Sequence, residues 1–287
     1  MTDLKLFRIG YSSSYNGIDG TTNNDGTNGN NQSSGGGTSG SGGTDVSGTS
    51  REASGGAGWL SNGNDGSDHN CTYDSEGGVK PLSGGTGGSG GGSSSNGSPS
   101  GGFGGGGGGN ARCGAVGGGG GGGYSGGGGA GANNQSHGGG GGSYNDGANQ
   151  VNATYPNGNN GHGKVIITQG GSTWTFTTCG ASGKTGPTQN QCNSSYSGTN
   201  LAGNVTLVDG IQHWTIPANA TYTIKAYGAQ GGTQISFNSR VGGQGAVMQG
   251  DFTLASGTVL KILVGHHPVD VNWLNGGGGG TFVVLSN

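Results

Sequence analysis

Unbroken runs of glycine at 104–109, 117–123, 126–129, 138–142 and 276–280 constrain this chain more than any other feature. Glycine is 79 of its 287 residues. A glycine run has no side chains to bury, so it cannot build an ordinary hydrophobic core. Either it stays a flexible coil, as Gly/Ser-rich linkers do, or its backbones pack on one another. The second course calls for polyproline-II-type helices, rising about 3.1 Å per residue and lacking internal hydrogen bonds. In a bundle, each N–H and C=O can bond a neighbouring helix. Collagen is excluded, because it requires a strict Gly-X-Y period and abundant proline, and this chain has six prolines. Composition alone favours the coil.

The remaining composition narrows the function classes. Charged residues make up 8% and the formal net charge is −3, with no basic patch, so nucleic acid and anionic membrane are not expected partners. No apolar stretch approaches the roughly 20 residues of a membrane-spanning helix, and Met1–Gly10 lacks the apolar segment of a signal peptide. The chain nonetheless reads as extracellular. Asn-x-Ser/Thr glycosylation sequons occur at Asn31, Asn70, Asn96, Asn134, Asn152, Asn193, Asn204 and Asn219, with Pro99 counting against Asn96. The four cysteines, Cys71, Cys113, Cys179 and Cys192, allow three pairings. Cys179 and Cys192 lie close together in a turn-rich segment, so a local disulfide is the first expectation, leaving Cys71 for Cys113. Neither pair has the C-x₂₋₄-C spacing of a zinc site.

Residues 173–287 read as strands. Alternation marks Trp174 and Phe176; Tyr222, Ile224 and Ala226; Leu260, Ile262 and Val264. Val205–Val208 and Ile211–Ile216 flank Asp209-Gly210, a two-residue hairpin signal. Phe252 and Leu254 indicate another strand, Phe282 and Val284 a last one. Leu4 and Leu6 alternate near the start, and Lys164–Thr168 forms a lone strand after a polar stretch. No amphipathic helix is evident. The expected architecture is an all-β sandwich from 173–287, 1–10 and 160–169, carrying residues 11–159 as a glycine-rich insertion. An insertion tethered at both ends loses less entropy on ordering than a free tail does, which favours a packed polyglycine bundle.

Motifs for chemistry are weak. Gly180-Ala-Ser-Gly-Lys-Thr185 suggests a phosphate loop, but Thr178 stands where the first glycine is required. His266-His267 has no second ligand cluster and reads as a solvated loop. No Gly-x-Ser-x-Gly elbow is present. Neither an enzyme, a metal site nor a cofactor is expected.

The segment Trp174–Gly183, followed by Gly186-Pro-Thr-Gln189, Gln191-Cys192 and Tyr196, resembles the extracellular glycine-rich region of the anaplastic lymphoma kinase and leukocyte tyrosine kinase receptors. The likeness continues through Gly210–Trp214, Ile216-Pro217, Tyr222–Ala229, Gly257–Gly265 and Gly276–Val283. Gly101–Gly106, Cys113 and Gly117–Gly127 share it. The resemblance implies a tumour-necrosis-factor-like jelly-roll sandwich with an inserted bundle of polyglycine helices. It implies a receptor tyrosine kinase ectodomain fragment that captures a small secreted protein ligand and dimerises on binding it. The kinase and the membrane span would lie elsewhere in the parent receptor.

The order of the likeness is rotated: the Cys-Gly-Ala-Ser-Gly block, which comes first in that family, comes late here. Gly170-Gly171-Ser172 reads as an inserted linker, and joining Asn287 to Thr2 would restore a hairpin from residues 281–286 and 2–9. A designed circular permutant is expected, since turn tips tolerate permutation best. Vertebrate members present acidic residues to basic ligands, but the glutamates here are Glu52 and Glu76, and the turn before Val165 reads Asn-Asn-Gly-His-Gly. An invertebrate receptor with a different kind of ligand is therefore expected. Glu52 carries over from a Ser-Glu-Ala segment of the family, and Tyr155 and His162 are ligand-binding candidates by position beside the same turn. The alternative reading is a phage tail-tip adhesin, which also packs polyglycine helices to present receptor-binding loops.

Overall fold

The computed structural model describes residues 11–13, 16–30, 34–45, 53–66, 74–91, 99–110, 117–131, 137–154, 156–233, 241–270 and 275–286. The expected hairpin of residues 2–9 with 281–286 lies outside them on its first strand.

The strands are β1 (Tyr11–Ser13), β2 (Asn16–Asp19), β3 (Lys164–Gln169), β4 (Ser172–Phe176), β5 (Val205–Val208), β6 (Ile211–Thr215), β7 (Ala220–Tyr227), β8 (Val247–Leu254), β9 (Val259–Leu263) and β10 (Phe282–Leu285). β1 and β2 form a small hairpin, a pairing the polar sequence there gave no signal for. The other eight make two antiparallel four-stranded sheets, ordered β10-β9-β6-β5 and β4-β3-β7-β8. The chain is thus mostly β, as the alternation predicts.

Alternation decides which face each strand buries. Val165 and Ile167 of β3 pair with Ala226 and Ile224 of β7, and all four are fully buried. Trp214 of β6 and Leu260 of β9 pair in the other sheet and point inward in the same way. The two inner faces share one hydrophobic cluster. Trp174 and Trp214, from opposite sheets, meet with ring centroids 5.0 Å apart, and Phe176 stands edge-on to Trp214 at 5.6 Å.

The turns follow from the backbone. Asp209 and Gly210 both adopt positive φ, as the two-residue hairpin between Val208 and Ile211 demands. Gly170 and Gly171 do the same between Gln169 and Ser172, so the expected linker is the tip of the β3–β4 hairpin, with Ser172 already in the strand.

The segment between the two close cysteines is not simply turns. It contains a short helix, α1 (Gln189–Ser195), which the sequence reading missed. Thr188 and Gln191 cap it reciprocally, a Thr-x-x-Gln signal present in the sequence. Cys179 and Cys192 are bonded, with Cα atoms 4.8 Å apart. α1 also finishes a sheet edge: the side chain of Gln189 accepts from the N–H of Leu207 at 2.9 Å and donates to the carbonyl of Val205 at 3.0 Å. A free edge strand is a template for unwanted pairing, and this amide occupies it.

The glycine runs are held by backbone bonds from one run to another. The N–H of Gly107 donates to Gly120, Gly121 to Gly139, Gly139 to Gly128, Gly56 to Gly127 and Gly277 to Gly107, at 2.7–2.9 Å. A Cβ on Gly120 would overlap the carbonyl of Gly127, and one on Gly277 the carbonyl of Gly120. Glycine is required because backbone lies where a side chain would go. The glycine region docks on the outer face of the β10-β9-β6-β5 sheet through Trp59, Phe103, Leu263 and Phe282.

Candidate functional site

Among the described residues no group of three or more His, Cys, Asp or Glu side chains could hold a metal ion, and no helix is long and apolar enough to cross a membrane. The phosphate-loop-like stretch serves the fold instead. The carbonyls of Gly183 and Lys184 accept from the N–H groups of Phe103 and Gly87, and the Lys184 ammonium donates to Ser89 at 2.6 Å. Those contacts clamp the disulfide-closed loop to the glycine region.

A polar cluster surrounds the turn before β3. Residues 148–154 and 156–159 run along the free edge of β8, with bridges Ala148–Asp251, Ala153–Val247 and Asn159–Gly245. The chain then turns through Gly161, whose φ is +72°, and enters β3. Three anchors hold this turn. Asn159 donates to the carbonyls of His162 and Gly228 at 2.8 and 2.7 Å. Gln230 accepts from the N–H of Gly161 at 2.8 Å and donates to the carbonyl of Gly242 at 2.7 Å. Gln244 accepts from the N–H of Gly158 and donates to Asn160, while its own N–H reaches Asp19 of β2 at 3.1 Å. Burial pushes the Asp19 carboxyl up to about 6, with the Gln244 N–H working against it.

Three histidines close the cluster. The N–H of His267 donates to Nδ1 of His162 at 3.1 Å. His267 itself faces the Gln230 carbonyl through Nδ1 at 2.8 Å and Asp270 through Nε2 at 3.0 Å. His266 is not solvated, contrary to the sequence reading. It is fully buried, its N–H bonded to Phe103, its carbonyl to Gly279 and its ring 5.2 Å from that of Phe103. Two flanking glycine segments seize its backbone and carry the ring inside, a consequence no local signal reveals. Neither of its ring nitrogens has a hydrogen-bond partner. Burial above all, then His162, lowers its pKa to about 4; the nearby Gly183 and Ser182 backbone pulls the other way without reaching hydrogen-bond geometry. His162 is exposed on its outer side, yet desolvation of the ring and then His267 hold its pKa below the ordinary histidine value.

Beside this turn the outer face of the β3–β7 pair is basic. Lys164 is the cross-strand partner of Tyr227 and Lys225 is next on the same face; both ammonium groups lie over the Tyr227 ring, at 4.5 and 5.4 Å. Farther along, Asp251 is engaged by Thr223 at 2.6 Å and Asn149 at 2.9 Å, which lower its pKa. Of the sequence candidates, His162 therefore sits within the cluster, while Glu52 and Tyr155 lie outside the described residues. So do Cys71, Cys113, Asn31, Asn70, Asn96 and Asn134. Asn152, Asn193, Asn204 and Asn219 are exposed. Asn193 and Asn219 bond through Oδ1 to Gln189 and Ser256, whereas Asn152 and Asn204 donate from Nδ2, the atom a glycan would take.

No family model matches the chain. Over 100 residues, 34% of its length, it is 39% identical to the leukocyte tyrosine kinase receptor of Mus musculus. The chain is related to that receptor family. The matched stretch spans 11% of the mouse receptor's length. Sequence reasoning missed Lys164, Lys225, Gln230 and Asp270, and read His267 only as part of a solvated loop. Each lysine alternates outward on its strand, which was legible, but their convergence on one tyrosine depends on the β3–β7 register.

Proposed function

We propose that this chain is a ligand-binding extracellular fragment of a receptor tyrosine kinase, built as a tumour-necrosis-factor-like jelly roll with an inserted bundle of polyproline-II-type polyglycine helices. The 39% identity to the mouse receptor is the observation that carries the reading. The two antiparallel sheets, the Cys179–Cys192 disulfide and the interlocked glycine backbones agree with it. The kinase and the membrane span belong to other parts of the parent receptor.

The fragment captures a small secreted protein, and capture brings two receptors together. Its binding face is the turn around His162 with Lys164 and Lys225 beside it. With two lysines clustered there, the ligand presents acidic groups, the reverse of the charge pattern in vertebrate relatives. The chain is a circular permutant whose natural ends are joined at Gly170-Gly171-Ser172. The closed two-residue hairpin there supports that reading, since a short joint requires neighbouring strands.

The test is capture of secreted proteins on the immobilised, folded chain, identified by mass spectrometry and then measured singly. Lys164→Glu with Lys225→Glu should weaken an acidic ligand at least about tenfold, equal to about 1.4 kcal/mol, without moving the melting temperature. Unchanged affinity would remove this face from the site. Capture of a bacterial surface component instead would favour a phage adhesin.

A further inference from the structure

We propose that the turn at 157–163 is fastened to the loop at 265–270 by a clasp that opens on acidification, with His162 as its pin.

The geometry sets opposite protonation demands on two neighbouring histidines. The bond from the His267 N–H to Nδ1 of His162 exists only while that nitrogen carries a lone pair. At His267 both ring nitrogens face acceptors, the Gln230 carbonyl and the Asp270 carboxylate. That arrangement is complete when both nitrogens carry hydrogen, as in the imidazolium form. A proton on Nδ1 of His162 would therefore set a donor against a backbone donor.

Among the described residues no neighbouring group is placed to relieve this. His266, edge-on at 5.8 Å, is fully buried and offers no charge. Asp270 is already shared between His267 and the N–H of Thr233. Lys164 and Lys225 lie over Tyr227 and add positive charge on that side, and Lys184 donates to Ser89. Asp19 reaches the turn only through Gln244, and a protonated carboxyl can still accept that N–H through its carbonyl oxygen. The depressed pKa of His162 agrees with this frame, since it records the cost of charging the ring there. The clasp is a property of the fold alone; its bearing on ligand capture rests on the reading above.

The experiment is amide exchange and ring-nitrogen titration by NMR on the whole chain, labelled with ¹⁵N, between pH 7.5 and 5. Each exchange rate is referred to its intrinsic rate at the same pH. Protection of the His267 amide should fall about tenfold or more with a midpoint at the His162 titration, while the Val247 amide on β8 stays protected. His162→Asn supplies an oxygen acceptor that does not titrate, so protection should then be independent of pH. Protection undiminished once the His162 ring has taken up its proton, or an equal fall in both proteins, would overturn the clasp. Should the variant fail to fold, a wild-type opening midpoint away from the His162 titration would overturn it equally. No ligand enters the measurement, so its failure and failure of the ligand reading are separate events.

Discussion

The phenol of Tyr196 donates to the side-chain oxygen of Gln212 at 2.6 Å, joining the C-terminal end of α1 to the middle of the β10-β9-β6-β5 sheet. Both residues are buried. The phenol oxygen also accepts from the N–H of Thr177 at 3.0 Å, and the Gln212 amide returns to the Thr177 carbonyl at 2.8 Å. The triangle satisfies every member, which is what makes a buried polar group tolerable. Tyr196→Phe should cost about 1–3 kcal/mol, since Gln212 and Thr177 each lose a partner away from water. Urea unfolding measures it; a change within error would mean water replaces the phenol.

Gly120 lies where four glycine segments meet, its would-be Cβ blocked by the carbonyl of Gly127 and the nitrogen of Gly56. Gly120→Val should destabilise by a few kcal/mol or more, in the manner of an overpacked core. Gly180→Ala is the control: that glycine has open space but a φ of +78°, so only backbone strain is charged, about 1 kcal/mol. Similar melting temperatures for the two variants would contradict backbone packing at Gly120.

The Cys179–Cys192 disulfide closes a loop with a sequence separation of 13. Chain entropy assigns such a loop roughly 3 kcal/mol. Removing both cysteines as alanine should lower stability by about that amount. It should also raise exchange at the Leu207 amide, because α1 carries the Gln189 side chain that covers that edge. A melting change with no change at Leu207 would show that α1 holds its place without the bond.

Two titratable groups, one buried and one half-buried, tilt stability with pH in opposite senses. His266 has its folded pKa lowered to about 4 from 6.5, so its contribution is lost as pH falls from about 6.5 toward 4. The full shift corresponds to about 3 kcal/mol. Asp19 has its folded pKa raised to about 6 from 3.8, so the folded state takes up its proton first and gains stability over nearly the same fall. Asp19 is only half-buried, so solvent screening makes its term the smaller one. Asp19→Asn should therefore lose more stability between pH 7 and pH 5 than wild type does. Equal acid profiles would show that Asp19 is not buried enough to matter.

Occupancy at the exposed sequons should follow which amide atom the fold uses. Asn193 and Asn219 bond through oxygen, so glycans there should leave the melting temperature unchanged. At Asn204 the amide nitrogen donates to both Asn200 and Ala202, so a glycan should cost one of those bonds, about 0.5–1.5 kcal/mol. Glycan mapping with enzymatic trimming of the folded protein reads both.

The sequence by itself determined the strands of the two large sheets and their inward faces, though not the β1–β2 hairpin, because side-chain alternation is local and the core rewards it wherever the strand pairs. It also determined the tight turn at Asp209-Gly210, where positive φ selects the residue; Gly170-Gly171, read as a linker, proved to be the tip of the β3–β4 hairpin only in the structure. The Thr188–Gln191 cap was there to be read and was missed because α1 has only one buried residue, Cys192, and no apolar period. Only the tertiary structure decided which glycine run bonds which. A glycine carries no side-chain label, so identical runs differ only in where the strands deliver their ends. The same holds for the cluster at His162. Asp19, His162, Gln230, Gln244 and the His267–Asp270 pair come from five separate stretches, and each alone reads as ordinary surface. Sheet register and the two glycine segments gripping His266 bring them within hydrogen-bond reach of one turn.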